Sequence, residues 1–341
     1  MIIVVPIGSA YHLSVQLNQL RSFVTVCDTR HFTRAAEVLH IAQPSLSQQI
    51  RSLETDLGTA LLHRARGNIT LTDAGEALLP LARRILADVD TARREVADAV
   101  GLHRGRVRLG ATPSLCATLV PDVLRRFHDT YPNVELHITE SGSQNLIRTL
   151  TGGELDIALI ITPQRGVVPA LNATELLSEE LVVVSRPDQP SPVRRDRIRI
   201  EDLRDQPLVM FRQGYDLREF TTAACRVAGF EPTFTVEGGE MDAVLGFVRA
   251  GLGLAVVPHM VAERSGLRYI RFDKPGLQRS IAVAHRKDVA PTRAARELQR
   301  ILTEHLKIAA GLFLATLVGK KSFQFSTQFV GRGQLAFVLD E

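Results

Sequence analysis

Apolar positions near the start of the chain recur at steps of three and four, the period of helices that bury one face. Leu17, Leu20, Phe23, Val24 and Cys27 share one side of a first helix. Ala35, Ala36, Val38 and Leu39 turn a second helix inward, with Thr33 as its expected N-cap. His40-Ile41-Ala42-Gln43 interrupts the pattern, and Pro44 opens a third helix, where its missing N–H costs nothing. In that helix Leu46, Ile50 and Leu53 form one buried stripe, while Ser45, Ser47, Gln48, Arg51 and Ser52 face away from it. No carboxylate follows Pro44 until Glu54. The next stretch, LLHRARGNITLTDAGEALL, sets two short apolar runs around a Gly67-Asn68 turn flanked by Arg64 and Arg66, which predicts a basic hairpin.

From Thr72 the period is helical again, with Asp73 and Glu76 at the positive end of the helix dipole. Leu78, Ala82, Ile85, Val89, Ala92, Val96 and Ala99 alternate at four and three, a heptad seam. A helix lying on its own domain would also show a stripe. This one is narrow, and Arg83, Arg84, Asp88, Arg93, Arg94 and Asp98 make the opposite face polar. Gly101 and Gly105 mark its end. Beyond Arg106 the pattern changes: strands are predicted around Val107–Ala111 and over 134–139, 155–161, 181–185, 208–211, 234–237, 254–257 and 281–285. Between them lie helical segments over 115–131 (broken by Pro121), 143–152, 217–229 and 241–250, and a last helix over 292–306. That alternation implies an α/β domain with parallel strands joined by crossovers.

Three helices and a basic wing make a winged helix-turn-helix, with the helix from Pro44 as the recognition element. Hydroxyl, amide and guanidinium groups can donate to phosphates and base edges without repelling DNA. The expected DNA contacts are therefore Thr33, Arg34, Gln43, Pro44, Ser45, Ser47, Gln48, Arg51, Arg64 and Arg66. A plain helical hairpin accounts for the Ser, Gln and Arg content alone, but not for the flanking helix and wing. In the rear part, ligands of an open α/β sheet gather beyond the carboxyl ends of strands. Thr112, Ser114, Ser141, Thr162, Phe211, Arg212 and Glu240 hold such positions. Each alone reads as an ordinary cap or turn residue. Together, hydroxyls and helix N-termini cradle an anion, with Arg212 supplying charge, so a small carboxylate is the expected effector.

The segments LNQLRSFVTV, FTRAAEVLHIAQPSLSQQIRSLE and LLHRARGNITLTDAGEALL, in that order and spacing, resemble the N-terminal domain of LysR-type transcriptional regulators. Leu62 stands where that family usually has Phe and keeps the position apolar. GATPSL, RRFHDTYPNVEL, GGELDIALI and FVRAGLGLAVVP resemble the family's effector domain, a two-lobed fold of the type 2 periplasmic-binding-protein kind. The resemblance implies a winged helix-turn-helix over 15–72 and a linker helix over 73–104 that pairs with its copy in a dimer. It further implies an effector domain over 105–310, with lobe I at 105–183 and 284–310 and lobe II at 184–283. A tetramer on a bipartite promoter site, contact with RNA polymerase, and a cytoplasmic location follow from the same likeness. Around PLVMFRQGYDLR the chain is similar to the segment that carries the reactive cysteine of the family's peroxide-sensing branch, and the matching residue here is Asp216.

Composition changes this picture little. The net charge is +4 and the sequence pI about 9.2, mild for a nucleic-acid binder. The cations are nearly all Arg, the first Lys being Lys274, which suits bidentate phosphate and guanine contacts. Cys27, Cys116 and Cys225 stand far apart and form neither a metal spacing nor a disulfide framework. Residues 1–14 carry an apolar run with no preceding cation, a poor export signal, and are expected to be an upstream extension. Residues 311–341 match no pattern beyond a helix extension expected at GLFLATLVG and a strand-like alternation of Phe in SFQFSTQF. Neither run is long enough to cross a membrane. Gly251-Leu252-Gly253 lacks the third glycine and preceding strand of a dinucleotide site, and nucleophile-elbow, HExxH and P-loop patterns are missing. No catalytic residue, metal or cofactor is expected. A solute-binding protein would fit the rear part alone, and the front part disfavours it.

Overall fold

In the computed structural model, which describes residues 15–65, 68–99, 105–162, 168–318, 325–330 and 334–339, three helices pack together at the front. Side chains are described from 15 to 306, apart from 64, 65, 68, 94, 95 and 97–99. Helices α1 (Leu17–Thr29), α2 (Phe32–Val38) and α3 (Gln43–Leu57) enclose Leu20, Phe23, Val26, Ala35, Ala36, Leu46, Ile50 and Leu53. The buried face of α1 is rotated from the expected one: Val26 is inside and Leu17 exposed. Polar residues cause this, because Gln19 donates to Ser52 and Asp56 and Ser22 to Gln49, fastening α1 to α3. On α2, Val38 faces solvent. Its N-cap is His31, not Thr33: the His31 Nδ1 accepts from the Arg34 N–H at 3.5 Å, since Phe32 packs on the core and begins the helix earlier. Pro44 sits in the first turn of α3, after Gln43.

Strands β1 (Leu62–Ala65) and β2 (Asn68–Leu71) form the wing, with Ala65 opposite Asn68. Asn68 is thus part of a strand rather than of the turn expected at Gly67-Asn68. Glu54 Oε1 accepts from the Leu61 and Leu62 N–H groups at 2.9 and 3.4 Å, anchoring the wing and holding this carboxylate near the wing's base. The cap expected at Thr72 is present: its Oγ1 accepts from the Gly75 N–H at 3.1 Å. Helix α4 (Asp73–Ala99) then crosses the wing so closely that a Cβ on Gly75 would lie 2.2 Å from the Leu61 carbonyl oxygen. Leu78 and Ala82 pack into the front core, whereas Leu81, Ile85 and Val96 are exposed. The expected seam thus loses its first two members to the front core, because the first turns of α4 lie on the domain that precedes them, while Ile85, Ala92 and Val96 of that seam stay exposed. Its polar face is tied down as well. Arg83 pairs with Asp28 and Glu154, Arg84 with Asp288, and Asp88 with the buried Arg286 at 2.5 Å. Residues 101–104 of the expected hinge lie outside the described residues, as do residues 1–14.

The rear part contains two lobes. Lobe I has β3 (Arg106–Ala111) with β4 (Glu135–Glu140) and β5 (Ile157–Ile161) parallel on either side, and helices α5 (Pro113–Cys116), α6 (Val120–Thr130) and α7 (Ser143–Thr151) between them. The helical break expected at Pro121 falls just before it, because Pro fits the first turn of α6. A long strand, β6 (Leu171–Ser185), leads into lobe II. There β7 (Arg197–Ile198), β8 (Leu208–Met210), α8 (Asp216–Val227), β9 (Phe234–Glu237), α9 (Met241–Arg249), β10 (Ala255–Pro258), α10 (His259–Ser265) and β11 (Arg268–Phe272) follow. Strand β12 (Gln278–Arg286) returns to lobe I, and α11 (Arg293–Val318) packs on α6. The sheets are mixed: β10 and β11 run antiparallel to β6, and β12 runs antiparallel to both β5 and β6.

Leu181, Val182 and Val183 belong to the core of lobe II, and Ile281 and Val283 to that of lobe I. The crossings therefore lie near Glu179 and Arg279, earlier than 184 and 284, because each strand is continuous through both lobes. Helix α11 runs past 306 and past the expected boundary at 310. Beyond it β13 (Phe325–Val330) and β14 (Gln334–Leu339) pair antiparallel, as the alternation suggests.

Candidate functional site

The outer side of α3 presents Gln43, Pro44, Ser45, Gln48 and Arg51 to solvent, with Ser47 half-buried beside them. Thr33 and Arg34 are exposed on α2. Ser52 is turned inward, accepting from Gln19. One Arg51 Nη donates to the Gln48 Oε1 at 3.1 Å, so the two long side chains of this face are already paired. Arg64 lies in β1, its side chain outside the described residues, as is the whole of Arg66.

In the rear part, the ends of β3, β4 and β5 bring the lobe I residues to one side. Thr112 and Ser114 are buried, their hydroxyl oxygens 3.4 Å apart. Ser141 Oγ accepts from the Asn145 side chain at 2.8 Å. Thr162 Oγ1 is buried with no hydrogen-bond partner. Lobe II supplies the rest differently from expectation. Phe211 lies in the lobe II core, its ring stacked on Tyr215 at 4.6 Å. Arg212 Nε donates to Glu240 Oε1 at 2.7 Å, and both side chains are well exposed. The guanidinium expected to receive an anion is thus neutralised by the acid expected beside it. Packing opposite charges 2.7 Å apart leaves this part of the site with little net field for a carboxylate.

Two residues outside the expected effector set, Asp216 and Ser143, join the lobes. Asp216, the first residue of α8, accepts from both the Ser143 Oγ (2.8 Å) and the Ser143 N–H (3.2 Å) at the start of α7. Ser143 Oγ in turn accepts from the Ile161 N–H at the end of β5. Tyr215, only 3 % exposed, has a phenolic oxygen without a partner. Burial raises the Asp216 carboxyl above its ordinary value against the Ser143 bonds, and burial raises the Tyr215 phenol too. Ser143 was legible as a helix N-terminal hydroxyl two residues after Ser141; nothing local announces its partner. Behind them, at the crossing of β6 and β12, Arg279 Nε and Nη2 donate to Glu179 Oε2 at 2.9 and 2.7 Å, and Glu179 Oε1 accepts from the Met260 N–H.

Burial pushes the Cys27 and Cys116 thiols up to about 12 and that of Cys225 to about 11, so all are poor thiolates near neutrality. Among the described residues no group of His, Cys, Asp and Glu could hold a metal ion. Among them, too, no helix is long and apolar enough to cross a membrane.

Comparison with known proteins agrees over most of the chain. A family profile described as "LysR substrate binding domain" matches residues 101–307. Another, "Bacterial regulatory helix-turn-helix protein, lysR family", matches residues 17–76. A probable hydrogen peroxide-inducible genes activator of Streptomyces viridosporus is 33% identical, over 85% of this chain and 94% of its own. The transcriptional dual regulator GltC of Bacillus subtilis is 30% identical, over 82% and 94%. The solved structure of a full-length OxyR cysteine-to-aspartate variant from Pseudomonas aeruginosa superposes with a TM-score of 0.66 at 27% identity, covering 85% of this chain and 98% of that one.

Proposed function

Since the chain belongs to the LysR family of DNA-binding transcriptional regulators, each with an effector-binding domain behind its helix-turn-helix, we propose that a small polar molecule entering between its two lobes controls promoter binding. One observation carries this reading. Thr162 Oγ1 and Tyr215 OH are buried without partners, one in each lobe. They adjoin Ile161 and Asp216, which both bond to Ser143. Orphaned buried polar atoms cost on the order of 1–3 kcal/mol each, and a ligand that bonds them recovers this. Such a ligand shifts the lobes only by its differential affinity for the two arrangements.

The response is to bound ligand rather than to thiol oxidation. α8 begins with Asp216 where the resembling peroxide-sensing segment has cysteine, and the thiols of this chain are raised by burial. The protein works in the cytoplasm, without catalysis or cofactor, and its promoter-bound form engages RNA polymerase. Its assembly is a dimer through the exposed seam of α4, doubled to a tetramer on bipartite DNA.

The test of the cleft is a thermal-shift panel of small amides, polyols, amino acids and carboxylates, followed by footprinting on the DNA upstream of the gene. Compounds that stabilise the wild type and move its footprint are expected to lose both effects in Thr162→Val/Tyr215→Phe, with ligand-free DNA affinity unchanged. Retention of both in the double variant sinks the assignment. For the seam, Ile85→Asp places a charge at an exposed apolar position of α4. Sedimentation is expected to show protomers at concentrations where the wild type is paired, and an intact dimer removes the seam from the assembly.

A further inference from the structure

We infer that Asp216 is a ligand the chain carries for itself: its carboxylate fills the anion-accepting N-terminus of α7 and clasps lobe II to lobe I. A helix N-terminus offers free N–H groups and a positive dipole end, where an anion is favoured. The Ser143 N–H and Oγ are the donors at that point of α7, and Asp216 Oδ2 takes both. Asp216 also stands in the first turn of α8, so its charge lies at the positive ends of two helices, one from each lobe. Among the described residues Ser143 is its sole hydrogen-bond partner. The cation that faces it, Arg279, is already bonded to Glu179.

A second contact, independent of any side chain, shows the lobes meeting at the same place. Gly142, the N-cap of α7, lies so near lobe II that a Cβ built on it would be 2.9 Å from the Gly214 carbonyl oxygen. The backbones approach here only because Gly142 has no side chain, and Asp216 follows Gly214 by two residues. Closure at this end therefore needs no external anion. A carboxylate effector would have to displace Asp216, so this end of the cleft selects against anions, opposite to what the hydroxyls and Arg212 suggest from sequence. The clasp concerns the ligand-free molecule and stands or falls apart from the effector reading above.

Emptying the cradle tests it. Full-length wild type, Asp216→Ala and Asp216→Asn are titrated with sodium acetate against sodium chloride at constant ionic strength, and Tm is followed. Asp216→Ala is expected to gain a saturable, acetate-specific rise in Tm, because the vacated N-terminus of α7 now binds the free carboxylate. Wild type and Asp216→Asn, whose cradle stays filled, are expected to show none. A folded Asp216→Ala without that rise, or an equal rise in wild type, overturns the proposal. Should Asp216→Ala fail to fold, Gly142→Ala decides: the added Cβ must part the lobes. Exchange of the Ser143 amide hydrogen, which Asp216 accepts across the lobes, is then expected to quicken on the order of tenfold, the scale of one lost charge-assisted bond. Unchanged protection of that amide overturns the clasp.

Discussion

Arg279→Ala is expected to destabilise the effector domain by about 3–5 kcal/mol, the usual result of leaving a buried charge without its partner. Arg279 and Glu179 have side chains only 2 % and 4 % exposed, and two guanidinium nitrogens converge on one carboxylate oxygen. The remaining oxygen accepts from the Met260 N–H at 3.1 Å, so the pair also pins the start of α10. Both residues sit where β6 and β12 cross between the lobes, and the loss should spread to both. Urea unfolding of the wild type and the variant measures it. Glu179→Gln/Arg279→Met, which removes both charges and keeps most of the volume, is expected to recover much of the loss, since a paired charge repays little more than its own desolvation. A single variant within about 1 kcal/mol of wild type would mean that water reaches the pair, and the burial argument for this crossing would be wrong.

What could be read in the sequence was local. The stripe Leu46, Ile50, Leu53, the cap at Thr72 and the long helix α4 follow from periodicity and capping, and these elements stand where that reasoning puts them. The rotation of α1 escaped it, because Gln19 and Ser22 look solvent-facing until their partners on α3 are known. The polar face of α4 escaped it for the same reason: Asp88 meets Arg286 across 198 residues of chain. The cleft shows the limit most clearly. Thr112, Ser114 and Thr162 lie at strand ends as their letters and spacing suggest, whereas Arg212 is bonded to a partner 28 residues away and Asp216 meets Ser143 across 73. A residue's chemistry can be read from its letter, whereas its charge state and freedom are set by what the fold brings against it.

Arg51→Ala is expected to weaken binding to cognate DNA by about 1–3 kcal/mol, roughly tenfold to a hundredfold, if its guanidinium reads a base bidentately. In the free protein Arg51 is exposed, and its bond to Gln48 Oε1 holds the guanidinium near α3 instead of leaving it to sample solvent. Two side chains paired before contact lose less rotamer freedom on docking, so Gln48→Ala should also weaken binding, by the loss of its own contact and by loosening Arg51. The two losses are then not additive, as expected for residues that share a bond. Binding is measured on cognate and scrambled duplexes at one salt concentration, then over a salt series. A loss confined to the cognate duplex, with the salt slope kept, places Arg51 on a base. Equal losses on both duplexes, with the slope reduced by about one counterion, place it on a phosphate. In that case discrimination has to come from the other exposed groups of α3, Gln43, Ser45 and Gln48.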